Sequence, residues 1–184
     1  MYQASVAPPG YTPAAMGDPR QGSTKQPNSR HCFVCGVENG AGLGVSFYEV
    51  EGEGGGLEVE ARFIARATHQ GYPGRMHGGL VTGVLDETIG RAVNAGAPPG
   101  AETAWGVAAE LSVRFLKPVP LDVELTARGR ITLDRRRLFQ GTGELLLPDG
   151  TVAASAFGRY VRMGLDDISE GVDPDELGWR VYPD

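Results

Sequence analysis

Several kinds of residue and segment are scarce in this sequence of 184 residues. It has two tryptophans and two cysteines, and no apolar run approaches the roughly 18 residues that a membrane-spanning helix needs. The N-terminus has neither the basic region nor the apolar region of an export signal. We therefore expect a cytoplasmic protein that does not enter a membrane.

A broad basic surface is also missing. The net charge is −6, and the segment from Gly164 onward carries seven acids against Arg180 alone. The rest of the chain carries 16 acids and 16 bases and is neutral. A neutral body with an acidic tail offers no face for nucleic acid, although this balance is compatible with a small local site for a phosphorylated ligand.

Composition divides the chain into three parts. Residues 1–29 contain five prolines and no hydrophobic periodicity, which predicts a flexible arm or one that orders only on a neighbouring subunit. Residues 30–163 form the predicted folded domain. Residues 164–184 form an acidic extension with little core of its own.

Hydrophobic periodicity within residues 30–163 changes from a period of two to a helical period and back. Residues 57–63 alternate as a half-buried strand does, and residues 78–95 show one apolar helical face. Strand-like runs joined by short turns follow, and short turns force antiparallel neighbours. These runs are 103–116, 121–133, 138–147 and 151–162. Because one helix cannot cover two sheet faces, we predict an α+β hotdog fold, a curved antiparallel sheet wrapped around one long central helix.

The two cysteines lie close together, in His31-Cys32-Phe33-Val34-Cys35-Gly36. Their spacing is compatible with half a zinc site, which His31 and His69 would have to complete, and with a redox pair. It is also compatible with a packed, reduced structural turn. Because a second cysteine pair is missing, we favour the structural turn and expect no metal.

The start of the predicted helix is the segment most informative about chemistry. His77-Gly78-Gly79 follows a Tyr-Pro-Gly turn, so it stands where the helix presents unpaired N–H groups and positive partial charge. Glycines there let a ligand approach the backbone closely. Preorganised donors of this kind are what a developing oxyanion requires.

One acid shares a helical strip with glycines. At about 100° per residue, Asp86 falls within roughly 40° of Gly79, Gly83 and Gly90. Three glycines cost about 1 kcal/mol each in a helix relative to alanine, so we expect a substrate or a partner helix to approach this strip closely. Glu87 and Arg91 fall on another face and are expected to form a solvent-side pair.

The segment His77-Gly78-Gly79 is followed by an acid, Asp86, nine residues after the histidine. This combination resembles the central motif of the PaaI-like branch of hotdog thioesterases. The cysteine segment, residues 111–118 and the Asp149-Gly150 turn resemble flanking segments of the same family. The resemblance covers most of residues 31–163. It implies an acyl-CoA substrate, no cofactor, and a homodimer, often paired into a tetramer, with active sites between subunits.

The resemblance also implies roles for individual residues. Asp86 is implied as the general base or the nucleophile, the Gly78 N–H as the donor to the thioester carbonyl, and His77 as a support for that loop. Gln70 and Gly79 are expected to contact the substrate, Gln70 as the nearest match to an amide residue that relatives carry before the motif.

Coenzyme A phosphates would need basic partners. The densest basic cluster is Arg135-Arg136-Arg137, and we expect Arg136 and Arg137 to bind substrate. Relatives often carry Ser or Thr facing the acid, where this chain has Ala108; Thr103 is the candidate substitute.

Two other functions stay open at this point. A non-catalytic acyl-CoA-binding or regulatory module is favoured by the missing hydroxyl at Ala108. A hotdog dehydratase or hydratase would need a histidine and an acid placed for proton transfer at neighbouring carbons of the acyl chain.

Overall fold

One antiparallel sheet and one long helix make up most of the protein. The structure, a computed structural model, describes residues 23–52, 54–98, 101–169, 171 and 174–183. The strands are β1 (Thr24–Lys25), β2 (Ser46–Glu51), β3 (Leu57–Ile64), β4 (Trp105–Phe115), β5 (Glu124–Asp134), β6 (Leu138–Leu146) and β7 (Val152–Met163). The helices are α1 (Gly78–Arg91), α2 (Leu165–Ile168) and α3 (Pro174–Leu177), and a 3₁₀ turn, Ala92–Asn94, extends α1.

The sheet curves around α1 in the strand order β1-β2-β3-β5-β6-β7-β4. Every neighbouring pair is antiparallel, and α1 packs against β3, β4, β5, β6 and β7. The predicted hotdog architecture is therefore confirmed. No helix among the described residues has the length and apolar character to span a membrane.

Glycines on the sheet let α1 lie unusually close to it. A Cβ added at Gly129 would stand 2.7 Å from the carbonyl oxygen of Thr88, and one at Gly141 would stand 2.6 Å from the Ile89 side chain. Both distances are below any normal carbon contact, so only glycine fits beneath this turn of the helix. The apolar face of α1 buries Val81, Val84, Leu85, Thr88 and Ile89 there.

Glu87 and Arg91 form the predicted ion pair, but their face of α1 is covered, so the expectation that the pair faces solvent is wrong. Arg91 is 5% exposed, and its guanidinium donates to Glu87 Oε1 at 2.6 and 2.9 Å. It lies 4.0 Å from the Phe47 ring centroid and 4.7 Å from that of Trp179. A helical wheel describes one helix alone and cannot show that distant segments pack over this face.

Those segments come from both ends of the described chain. β1 pairs with β2, and Asn28 and Arg180 exchange backbone hydrogen bonds of 2.8 and 3.1 Å. Trp179 packs against Trp105 with ring centroids 4.8 Å apart. Residues 23–29 of the predicted arm therefore pack on the domain of their own chain, while residues 1–22 lie outside the described residues.

β4 forms one edge of the sheet. It pairs with β7 along its length, and most of its residues are exposed. Exposed apolar side chains on and beside it include Val107, Phe115, Leu116, Val161 and Met163. A long apolar edge strand is a surface that proteins normally cover.

Candidate active site

A small turn positions the start of α1. Gln70 and Met76 form an antiparallel bridge, and Gln70 Oε1 accepts a hydrogen bond of 2.9 Å from the Gly74 N–H. The His77 N–H donates to the carbonyl oxygen of His69 at 2.9 Å. The side chain of Gln70 therefore holds the turn that precedes the helix.

The N-terminus of α1 leaves one backbone donor available. His77 is the N-cap residue, and its Nδ1 accepts the Gly79 N–H at 2.9 Å. The next two N–H groups, of Leu80 and Val81, donate to the carbonyl of His77. Among the described residues no hydrogen bond uses the N–H of Gly78, which stands at the positive end of the helix dipole.

Asp86 is held by a residue that the sequence analysis missed. Tyr160 Oη donates at 3.0 Å to Asp86 Oδ1 and also lies 3.0 Å from the Asp86 carbonyl oxygen. In the register of β4 and β7, Tyr160 is the partner of Ala108. The hydroxyl that Ala108 lacks is thus supplied by the neighbouring strand.

Glycines and a stacked ring fix the direction of Tyr160. Its ring is parallel to that of Phe139 within 8°, with centroids 4.9 Å apart. A Cβ at Gly158 would lie 2.5 Å from the Tyr160 ring, and one at Gly106 would lie 2.5 Å from the ring of Phe139. A glycine two residues before an inward-facing tyrosine was the only indication of this arrangement in the sequence.

The surroundings of Asp86 favour the protonated form of its carboxyl group. Burial raises its pKa, the hydrogen bond from Tyr160 lowers it, and the negative charge of Glu87 raises it further. Burial and the charge of Asp86 also raise the pKa of Tyr160, so the phenol remains a donor. A carboxylate with a raised pKa is a stronger base, as general base catalysis requires.

Asp86 opens onto a cavity of about 310 Å³. Thr103, Ala108 and Tyr160 share its wall with Asp86, so the structure brings the predicted Thr103 and Asp86 together. The remaining wall is formed by Ser29, Cys32, Cys35, Glu87, Gly90, Arg91, Asn94, Ala104, Trp105, Gly106, Leu177 and Trp179.

Comparison with known proteins agrees with this fold. A sequence model of the thioesterase superfamily matches residues 73–154, which contain the His77-Gly78-Gly79 motif, α1 and most of the sheet. This part of the chain is therefore similar to the thioesterase superfamily. The predicted resemblance to the PaaI-like branch is confirmed by solved structures that include phenylacetic acid degradation proteins. No curated protein matches the chain.

Three solved structures illustrate the likeness. A thioesterase superfamily protein is 30% identical with a TM-score of 0.58, and the alignment covers 72% of this chain but only 60% of that one. A phenylacetic acid degradation-related protein from Ralstonia eutropha is 26% identical with a TM-score of 0.54, over 65% of this chain and 85% of that one. A protein from Bacillus halodurans solved with CoA shares the fold, with 24% identity and a TM-score of 0.51. The alignment covers 63% of this chain and 73% of that one.

The other predicted site residues lie elsewhere. Gln70, His77, Gly78 and Gly79 belong to the turn and the first residues of α1, outside the cavity wall. Arg136 and Arg137 are exposed in the turn between β5 and β6, and they are also outside that wall. Because α1 rises about 1.5 Å per residue, Gly78 and Asp86 are about 12 Å apart along its axis.

A second cluster lies in the cavity wall. Cys32 Sγ donates to Glu87 Oε2 at 3.4 Å, and Cys35 Sγ lies 3.5 Å from Ser29 Oγ. The hydrogen bond with Cys35 lowers the pKa of Cys32 to about 7, while that bond and burial raise the pKa of Cys35.

Neither histidine considered from the sequence belongs to this cluster. His69 Nδ1 accepts the Arg66 N–H at 2.9 Å, and its Nε2 lies 3.2 Å from the carbonyl oxygen of Ala41. His31 is exposed.

Proposed function

We propose that this protein hydrolyses an acyl-CoA to a free acid and coenzyme A, with Asp86 as the catalytic carboxylate. The observation that carries the proposal is the hydrogen bond from Tyr160 to Asp86 inside the cavity. The similarity of residues 73–154 to the thioesterase superfamily supports the reaction type. The alternative of a binding module rested on the hydroxyl missing at Ala108, and Tyr160 weakens that argument.

The hydrogen bond from Tyr160 leaves part of the Asp86 carboxylate available for chemistry. Oδ1 accepts the phenol proton, and Oδ2 can accept a proton from water. As water attacks the thioester carbon, Asp86 takes its proton, the C–S bond breaks, and the departing thiolate is protonated to the thiol. Direct attack by Asp86 on the same carbon, followed by hydrolysis of the resulting anhydride, uses the same geometry.

The oxyanion donor for this reaction belongs, in our proposal, to a second subunit. Gly78 and Asp86 of one chain are separated by about 12 Å along α1, which is too far for both to contact one carbonyl group. Two copies paired in opposite directions can place Gly78 of the partner subunit beside Asp86. The exposed apolar edge at β4 supports such a dimer, because a second copy would cover it.

The substrate is proposed to be a CoA thioester. A protein from Bacillus halodurans with the same fold was solved with CoA, and a cavity of about 310 Å³ beside Asp86 suits an acyl group of moderate size. Thr103 lies in the cavity wall and would contact the acyl end. Arg136 and Arg137, which are exposed, would bind phosphates, while Gln70, His77 and Gly79 would shape the loop that receives the thioester.

The test is single-turnover hydrolysis of short, long and aromatic acyl-CoAs. Asp86→Asn keeps the shape and removes the base, so the rate on the best substrate should fall at least about 10²-fold with binding retained. Asp166→Asn is the matched control, because Asp166 is exposed on α2 outside the cavity wall. A wild-type protein that binds acyl-CoA and hydrolyses none of them would contradict the proposal and favour a binding module.

A further inference from the structure

Three potential metal ligands meet beside the proposed active site. The sulfurs of Cys32 and Cys35 and a carboxylate oxygen of Glu87 all lie within 4.8 Å of one another. We propose that these three residues bind a thiophilic divalent cation of the zinc class. In a tetrahedral zinc site with thiolate and carboxylate ligands, neighbouring ligand atoms are about 3.5–3.8 Å apart. Small side-chain rotations therefore complete the geometry.

The backbone around Cys32 is already arranged as a thiolate-binding turn. The N–H groups of Val34 and Cys35 point at Cys32 Sγ, at 3.3 and 3.5 Å. The Gly36 N–H closes the turn on the carbonyl of Cys32 at 2.9 Å. A Cβ at Gly36 would stand 2.3 Å from that carbonyl oxygen, so this turn requires the glycine that follows Cys35.

The carboxylate ligand is held in place by outer contacts of the kind that orient ligands at metal sites. Arg91 donates to Glu87 Oε1 and leaves Oε2 for the cluster. Arg91 is itself anchored by a hydrogen bond of 2.7 Å to the carbonyl of Pro27 and by the ring of Phe47. Ser29 Oγ provides the corresponding contact for Cys35.

The charges of the cluster match a divalent cation. Two thiolates and the Glu87 carboxylate carry three negative charges, and Arg91 carries one positive charge, so the set has a net charge of −2. Binding a divalent cation releases the two thiol protons and leaves the largely buried group neutral. Magnesium or calcium would prefer oxygen ligands, whereas thiolates select zinc-class cations.

Three protein ligands leave a fourth position open. Cys32, Cys35 and Glu87 all line the cavity that holds Asp86, so this position faces the cavity and can take water or an exogenous ligand. The cation would also tie the turn at residues 32–36 to α1. This proposal departs from the packed turn that we favoured from the sequence, because the structure places Glu87 beside the two cysteines, which spacing alone did not reveal.

The test is a titration of the full chain with cobalt(II), after treatment with a chelator and a phosphine reductant. We expect one cobalt per chain, with the visible bands of a tetrahedral site and thiolate-to-cobalt charge transfer in the near ultraviolet, both abolished by one equivalent of zinc. Cys32→Ser and Cys35→Ser should each reduce the charge transfer. Glu87→Gln should weaken cobalt binding at least about tenfold.

His31→Ala is the matched control, because His31 adjoins Cys32 and lies outside the cluster. It should bind cobalt as the wild type does, and near-ultraviolet circular dichroism should show that each variant is folded. Failure of the wild type to bind cobalt would overturn the proposal. Loss of binding in His31→Ala would also overturn it. So would an as-purified mass two hydrogen atoms below the reduced mass, which would identify a disulfide pair instead.

Discussion

Mixing two inactive variants tests whether each active site is built from two subunits. Asp86→Asn removes the base and Gly78→Pro removes the backbone donor at the start of α1, where proline fits the first helical position. Each variant alone should be inactive as a homodimer. In a mixed dimer, one site combines Asp86 from one chain with Gly78 of the partner subunit and is intact.

The expected magnitude follows from the separation of the two groups. Since they are about 12 Å apart along α1, a carbonyl that touches one cannot touch the other in the same chain. Random pairing of equal amounts makes half of the dimers mixed, and each mixed dimer has one intact site of two. The mixture should therefore recover about one quarter of the wild-type rate per chain, given a two-fold symmetric dimer.

The assay is co-expression with two different affinity tags, tandem purification of the mixed dimer, and single-turnover hydrolysis of the best acyl-CoA. The purified mixed dimer should show about half of the wild-type rate per chain. A chain that carries both Asp86→Asn and Gly78→Pro is the control. Its dimers with either single variant have no intact site and should remain inactive. A mixed dimer no faster than the homodimers would refute the inter-subunit site, and a chain that sediments at 19.5 kDa would refute it earlier.

Two further predictions concern the support of the site. Tyr160→Phe removes the hydrogen bond that lowers the pKa of Asp86, so Asp86 should stay protonated to a higher pH and the acid limb of the kcat/KM profile should shift upward. Tyr72→Phe is the control and should leave the profile unchanged, because Tyr72 is 82% exposed. An acid limb that does not shift in Tyr160→Phe would contradict the role of Tyr160 as the hydrogen-bond donor to Asp86. Gly129→Ala places a Cβ 2.7 Å from the Thr88 carbonyl oxygen, and denaturant unfolding should show a loss of about 1–3 kcal/mol. A Cβ added at Gly40 would have no atom within 4 Å, so Gly40→Ala is the control and should unfold like the wild type. Equal losses of unfolding free energy at Gly129 and Gly40 would argue against close packing of α1.

Much of the architecture could be predicted from local patterns. Alternation along residues 57–63 and the helical period after Gly78 correspond to β3 and α1, because these periods depend only on which face of an element is buried. The four later strands follow from turns that are themselves local. The predicted helix ran to Ala95, whereas α1 ends at Arg91 and a 3₁₀ turn continues it, a difference of hydrogen-bonding pattern that apolar spacing does not encode.

The motif residues were also predictable, since His77 caps the helix that carries Asp86 and their spacing is therefore local. The side chains that act on Asp86 and Glu87 were not. Tyr160 is 74 residues from Asp86 in sequence, and Cys32 is 55 residues from Glu87.

The sequence by itself thus determined the helix, its glycine strip and the acid that the strip carries, because these properties repeat over a few residues. The tertiary structure decided which hydroxyl reaches Asp86, since that depends on the register of β4 with β7 that pairs Ala108 with Tyr160. It also decided that Arg91 is buried, because segments from both ends of the described chain pack over α1. Such contacts arise from the pairing of distant strands and segments, which no local periodicity specifies.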